Sequence, residues 1–125
     1  MKLPDNLRYT SSHEWVRAES DGTLSIGITD HAQETLGELV YVELPAAGRK
    51  LAAGEACAVV ESVKAAADVY APLAGEVVAA NAALKDEPSR VNKDPYGAWL
   101  YRLKPAAGAD AAELLDAEAY RKSAA

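Results

Sequence analysis

Cysteine is almost missing from this chain, and the single one, Cys57, excludes an internal disulfide. Set in the small apolar run Ala56–Val60, it reads as a buried hydrophobe and not as a nucleophile. No apolar run approaches the ~20 residues that a helix needs to cross a bilayer. Histidine is scarce too: His13 and His31 are the only two, nothing groups further ligands around them, and no metal site is expected. Both read as surface or capping residues. A Gly-x-Ser-x-Gly elbow, a phosphate-binding glycine loop and paired metal-binding cysteines are all absent, so the chain is not expected to be an enzyme. Positive charge is also short, with 13 Lys and Arg against 19 Asp and Glu and a formal net charge of −6. Such a surface repels phosphate backbones and anionic lipid, which argues against nucleic-acid and membrane partners and favours proteins with basic docking patches. The start, Met1-Lys2-Leu3-Pro4-Asp5, lacks the apolar core of a signal peptide, and a cytoplasmic, bacterial protein is the expectation.

The 125 residues suit one domain spanning 1–125, and no low-complexity linker divides them. Glu14–Arg17 reads as a strand, followed by a turn at Ser20-Asp21-Gly22. Thr23–Ile28 alternates polar and apolar residues, the period-two mark of a half-buried strand. Asp30 is placed to cap a short helix, with Gln33 completing a capping box and Gly37 ending it. Leu39–Leu44 reads as a strand stopped by Pro45. Ala56–Val60, Val69–Ala71 and Glu76–Ala79 continue the β pattern. Ala53-Gly54-Glu55 and Ala74-Gly75-Glu76 form a faint repeat that suggests strands related by an approximate twofold, with Gly75 needed for a tight turn. Asp94-Pro95-Tyr96-Gly97 fits a type I turn. Trp99–Leu103 reads as the last strand, and Trp15 and Trp99 as core. The tail reads as one helix, acidic at Asp110 and Glu113 and basic at Arg121 and Lys122, as the helix dipole prefers. The sum is a mainly β barrel or sandwich flanked by short helices and closed by a C-terminal one.

One segment stands apart, Val59-Val60-Glu61-Ser62-Val63-Lys64-Ala65-Ala66-Ala67-Asp68-Val69-Tyr70-Ala71-Pro72. A lysine lies between two β-prone runs and is followed by three alanines. If the runs form a hairpin, Lys64 sits at its tip with small neighbours, and its amine is open to acylation into a neutral amide. The plainer alternatives are a solvated turn lysine, or a helix continued through the alanines.

The motif Glu61-Ser62-Val63-Lys64-Ala65-Ala66 resembles the lipoylation site of glycine cleavage H proteins. The likeness continues in order through Ser12-His13-Glu14-Trp15-Val16, Ile26–Gln33, Leu36-Gly37, Tyr41–Pro45, Tyr70-Ala71-Pro72, Gly75–Val78, Val91-Asn92, Asp94–Gly97 and Trp99-Leu100, nearly the whole chain. Only Ala98 separates the Asp94–Gly97 turn from Trp99 where the family usually has a longer spacing, and Ala67 stands where it often has serine.

The resemblance implies a lipoyl-domain-like flattened barrel-sandwich and a non-catalytic carrier with lipoic acid amide-linked to Lys64. The arm would take an aminomethyl group from a pyridoxal-phosphate glycine decarboxylase. It would give the methylene to a tetrahydrofolate-dependent aminomethyltransferase and be reoxidised by dihydrolipoyl dehydrogenase. Tethering turns those encounters into local ones. A lipoyl ligase or octanoyltransferase would attach the cofactor, with Glu61 and Ser62 as recognition residues. Ser12, Glu14 and Asp68 are candidates for holding the cationic end of the loaded arm. A carrier that visits several enzymes is expected to be a monomer. Two rivals share the lysine: an H-like protein relaying lipoyl groups to other complexes, and a biotinyl carrier. The second lacks its usual Met-Lys-Met centre, since Val63 and Ala65 flank Lys64.

Overall fold

A computed structural model describes residues 2–124. Among the described residues, nine strands form two antiparallel sheets. The larger contains β1 (Arg8–Tyr9), β2 (Glu14–Ala18), β3 (Leu24–Ile28), β9 (Tyr101–Pro105), β8 (Gly75–Ala80) and β5 (Lys50–Leu51), side by side in that order. The smaller has β4 (Leu39–Glu43), β6 (Ala56–Ser62) and β7 (Ala66–Tyr70). Four short helices decorate them: α1 (Asp30–Leu36), α2 (Ala83–Asp86), α3 (Arg90–Lys93) and α4 (Ala117–Ala124).

The two sheets face each other across one apolar core that includes Ile26, Val42, Val60, Val69, Val77 and Leu103, all at most 2% exposed. Burying each such side chain contributes roughly 1.5–3 kcal/mol. This is the flattened barrel-sandwich expected. A second cluster lies on the other face of the larger sheet, where Ala117 and Tyr120 of α4 pack on Leu7, Tyr9 and Trp15. The tail therefore covers the sheet from outside, with the Tyr9 and Tyr120 rings stacked at 4.9 Å.

Several local expectations need correction. β3 is buried along its whole length, not on one face. It lies between β2 and β9, Glu19 and Arg102 hydrogen-bond to the outward Ser25, and the Trp15 ring covers Gly27. Thr29, not Asp30, caps α1: its hydroxyl oxygen accepts from Ala32 N–H. Asp30 is the first helical residue and accepts from Gln33 Nε2 at 2.8 Å. Gly37 ends the helix at φ 85°, as expected. The last strand starts at Tyr101, two residues later than read, although Leu100 N–H already donates to Ile26 O of β3 at 2.7 Å. The tail is not one helix. A 3-10 turn at Ala111–Glu113 is cut off by Leu115, which exchanges backbone hydrogen bonds with Tyr9 at 2.8 and 2.9 Å, and α4 follows. Gly75 sits in a strand and not a tight turn; a Cβ there would meet the Lys104 carbonyl oxygen at 2.4 Å, and close approach is what requires glycine. Trp15 is fully buried, whereas Trp99 is half-exposed, with the Arg102 guanidinium 4.3 Å above its ring.

Candidate functional site

The alanines after Lys64 extend a strand and no helix. β6 and β7 pair with Val60 opposite Ala67 and Glu61 opposite Ala66, which leaves Val63, Lys64 and Ala65 as the hairpin tip. Ser62 builds that tip. Its N–H donates to Ala65 O at 2.8 Å, and its Oγ accepts from the N–H groups of Lys64 at 3.3 Å and Ala65 at 3.1 Å. Ser62 is 9% exposed, so its hydroxyl faces into the turn, while the neighbouring Val63 is 89% exposed. Glu61 lies on the outward row that runs Tyr41, Glu61, Ala66 across the smaller sheet. Lys64 is exposed and forms no ion pair among the described residues. Its stem passes the end of α1, with Cε 3.4 Å from where a Gly37 Cβ would sit. The amine is thus raised on a rigid support and left unengaged.

Beside the hairpin, a cavity of about 170 Å³ opens between three walls. One is the segment Ser12-His13-Glu14, the second is the His31, Ala32 and Leu36 face of α1, and the third is Val60, Ala67 and Asp68 of the smaller sheet. Ser12, Glu14 and Asp68 come from distant parts of the chain, and the fold brings all three to this groove.

Glu14 is 1% exposed, yet its carboxylate is well supplied with donors. Oε1 accepts from the hydroxyls of Thr10 and, at 2.6 Å, Ser12; Oε2 accepts from Tyr70 N–H at 3.1 Å. Tyr70 belongs to β7, an edge strand with no neighbour on that side, so Glu14 takes up a backbone donor that would otherwise lie unpaired. Burial pushes the Glu14 carboxyl above its ordinary range, and the hydrogen bonds from Ser12, Thr10 and Tyr70 pull it part of the way back. A cation entering the groove would favour the charged form. The site can therefore hold an extended chain against apolar walls, with a positive end directed at Glu14 and at Asp68 on the rim.

His13 and His31 were not expected here. They lie in the groove wall, half-buried, with ring centroids 4.6 Å apart. His13 is the one described non-glycine residue with positive φ, at 73°. Burial, then the neighbouring His31, pushes its imidazole below the ordinary 6.5. No local sequence signal marks a left-handed histidine. Thr10, Ser12 and Glu14 meet because the chain turns back between β1 and β2, with His13 N–H donating to Thr10 O at 3.2 Å and Thr10 N–H to Glu14 O at 3.0 Å.

No helix among the described residues is long and apolar enough to cross a membrane, and none of their His, Cys, Asp and Glu side chains form a group of three suited to a metal ion. A family model described as Glycine cleavage H-protein matches residues 7–125. The chain is 62% identical over 119 residues to the glycine cleavage system H protein of Aromatoleum aromaticum, covering 95% of this chain and 93% of that one. It is 62% identical over 122 residues to the corresponding protein of Nitrosospira multiformis, covering 98% and 95%. A crystal structure of a glycine cleavage system H protein from Mycobacterium marinum superposes with a TM-score of 0.86 at 42% identity, over 96% of this chain and 97% of that one.

Proposed function

The chain belongs to the glycine cleavage H-protein family, and from that premise we propose that Lys64 bears lipoic acid in amide linkage and that the adjoining groove receives the arm. The chain is a lipoyl carrier of the glycine cleavage system. One observation carries the assignment of Lys64: it is the exposed lysine at the tip of the β6–β7 hairpin, held by Ser62, with the groove of Glu14 alongside.

The residues present suit the cofactor. Small neighbours Ala65 and Ala66 leave the amine open to acylation, and Val60, Leu36 and Ala32 offer apolar walls to a hydrocarbon arm. Bound there, the lipoyl group supplies a disulfide that takes up a one-carbon amine and later yields it. The chain's own part is positional. The hairpin fixes the arm's root, so transfer depends on local concentration and not on free encounter. Glu14, with Asp68 at the rim and Ser12 beside it, holds a cationic end by charge and hydrogen bonding; Glu14 is buried, where such contacts gain strength, while Ser12 and Asp68 are exposed at the mouth. Glu61, half-buried on the outward row beside the tip, offers a carboxylate to the lipoyl ligase or octanoyltransferase; Ser62 serves recognition by shaping the turn.

On this reading residues 1–125 act as one monomeric, non-catalytic unit in the cytoplasm. Its partners are glycine decarboxylase, aminomethyltransferase and dihydrolipoyl dehydrogenase. The lipoylated chain should sustain glycine-dependent release of carbon dioxide by the decarboxylase; if Lys64→Arg sustains it equally, the assignment fails. For the groove, Glu14→Ala should shorten the half-life of the loaded arm against hydrolysis, and an unchanged half-life would count against it.

A further inference from the structure

The groove wall that carries Ser12 and Glu14 is not self-supporting. His13, between them, is held at a φ that costs a non-glycine residue energy, and something must compensate. Its backbone is tied at both ends: His13 N–H donates to Thr10 O at 3.2 Å, and its carbonyl accepts from Thr29 N–H at 3.0 Å. Its side chain is tied to the far end of the protein. Nδ1 shares a 2.6 Å hydrogen bond with the hydroxyl of Tyr120, on α4, and that hydroxyl lies 2.8 Å from Thr29 Oγ1.

The direction of this chain of bonds can be worked out. Thr29 is completely buried, and its oxygen accepts Ala32 N–H at 3.2 Å. Its own proton has one acceptor within reach among the described residues, the Tyr120 oxygen. Tyr120 then has one proton left to give, and it goes to His13 Nδ1. Ala32 N–H donates to Thr29 Oγ1, Thr29 O–H to the Tyr120 oxygen, and Tyr120 O–H to His13 Nδ1, which accepts, so the protons of both hydroxyls in the bridge are used. The opposite direction strands the Thr29 proton. The imidazole is therefore the tautomer protonated on Nε2.

We propose that Tyr120 is a positioning residue for the arm groove: its hydroxyl, bridging Thr29 to His13, locks the segment that presents Ser12 and Glu14. The C-terminal helix, none of whose residues line the groove, thus sets through Tyr120 how firmly the groove holds its occupant. Tyr120 is fully buried between Tyr9, His13 and Thr29, so it acts through these contacts and not by meeting a partner. The inference rests on the groove's role in holding the arm.

Tyr120→Phe keeps the ring stacked on Tyr9 and removes the bridge alone. In the unlipoylated protein, nitrogen NMR of the His13 side chain should show a single Nε2–H tautomer, turning into a mixture in Tyr120→Phe. In the lipoylated, aminomethyl-loaded protein, intact mass against time should show the arm's half-life shortened about three- to tenfold, the scale of one lost buried hydrogen bond. Ala117→Gly loosens the same helix without touching the bridge, and should leave the tautomer and the half-life as they were. An unchanged His13 tautomer in Tyr120→Phe overturns the proposal, and so does an equal loss of half-life in Ala117→Gly at matched melting temperature. Glu14→Ala separates the two claims. An unchanged half-life there overturns the groove reading and this inference with it; a shortened one, with Tyr120→Phe like wild type, overturns this inference alone.

Discussion

Ser62→Ala tests whether the lysine is presented by a built turn. The substitution removes the one oxygen that the N–H groups of Lys64 and Ala65 both reach, at 3.3 and 3.1 Å, and the hydroxyl proton that Ser62 donates to Ala65 O at 3.3 Å, and it spares the backbone bond from Ser62 N–H to Ala65 O. Both donors lie at an exposed tip, where water replaces part of what is lost. At a net ~0.5–1.5 kcal/mol per bond, with all three bonds long and water replacing part of each, the cost is about 1–2 kcal/mol. For a chain of this size that lowers the melting temperature by roughly 3–10 °C. Two assays read the outcome: thermal unfolding by circular dichroism, and the initial rate of lipoylation by a ligase. The account expects both to fall together, with faster amide exchange at Ala65, because a frayed tip presents Lys64 less often. A melting temperature and an Ala65 exchange rate equal to wild type would refute it. If lipoylation then fell on its own, the hydroxyl would be read directly by the attaching enzyme.

Other perturbations follow from the same geometry. The Glu14 carboxyl is held above its ordinary value by burial, so its contribution to stability is complete below pH 4.5 and declines as pH rises through the raised value. Glu14→Gln should therefore gain melting temperature relative to wild type as pH climbs from 4.5 to 7, while losing its grip on the loaded arm; a gap that stays constant with pH would contradict this. The His13 imidazole is held below 6.5, chiefly by burial and then by His31, so its contribution is complete above 6.5 and is lost as pH falls from there. His13→Asn, whose side chain tolerates positive φ, should flatten that part of the stability curve, and an unaltered slope would refute the assignment. Gly27→Ala would place a Cβ 2.5 Å from the ring of Trp15, which is fully buried and tied to the Pro95 carbonyl by a 2.9 Å hydrogen bond. Urea unfolding should show a loss of about 1–3 kcal/mol or more, whereas a loss below about 0.5 kcal/mol would mean that the ring can move.

Strands with a clear two-residue period, and turns written in Asp, Pro and Gly, were legible because their causes are local. Glu14–Arg17 and the Asp94–Gly97 turn are where their residues predict, the latter closed by Gly97 N–H on Asp94 O at 3.2 Å. What escaped had distant causes. Nothing near Ser25 announces that Glu19 and Arg102 will hydrogen-bond to it, so β3 reads as half-buried and is not. The tail carries good helix formers throughout, yet Leu115 is claimed by Tyr9, more than a hundred residues earlier, and the helix is interrupted. The lysine was readable as a motif, and its hairpin as a preference of the β-branched runs around it. That Ser12, Glu14 and Asp68 line one groove depends on how the edge of β7 meets the start of β2. The histidine pair and Tyr120 gave no signal, because a backbone at positive φ and a contact spanning the length of the chain have no local pattern.

The central claim is that Lys64 carries the cofactor. The most direct measurement is intact mass and peptide mapping after incubation with lipoate, ATP and a lipoyl ligase, beside Lys64→Arg. The account predicts one lipoyl group, on the peptide containing Lys64, and none on the variant. A chain left unmodified by a ligase that is active on another acceptor, or one modified at a different lysine, would contradict it.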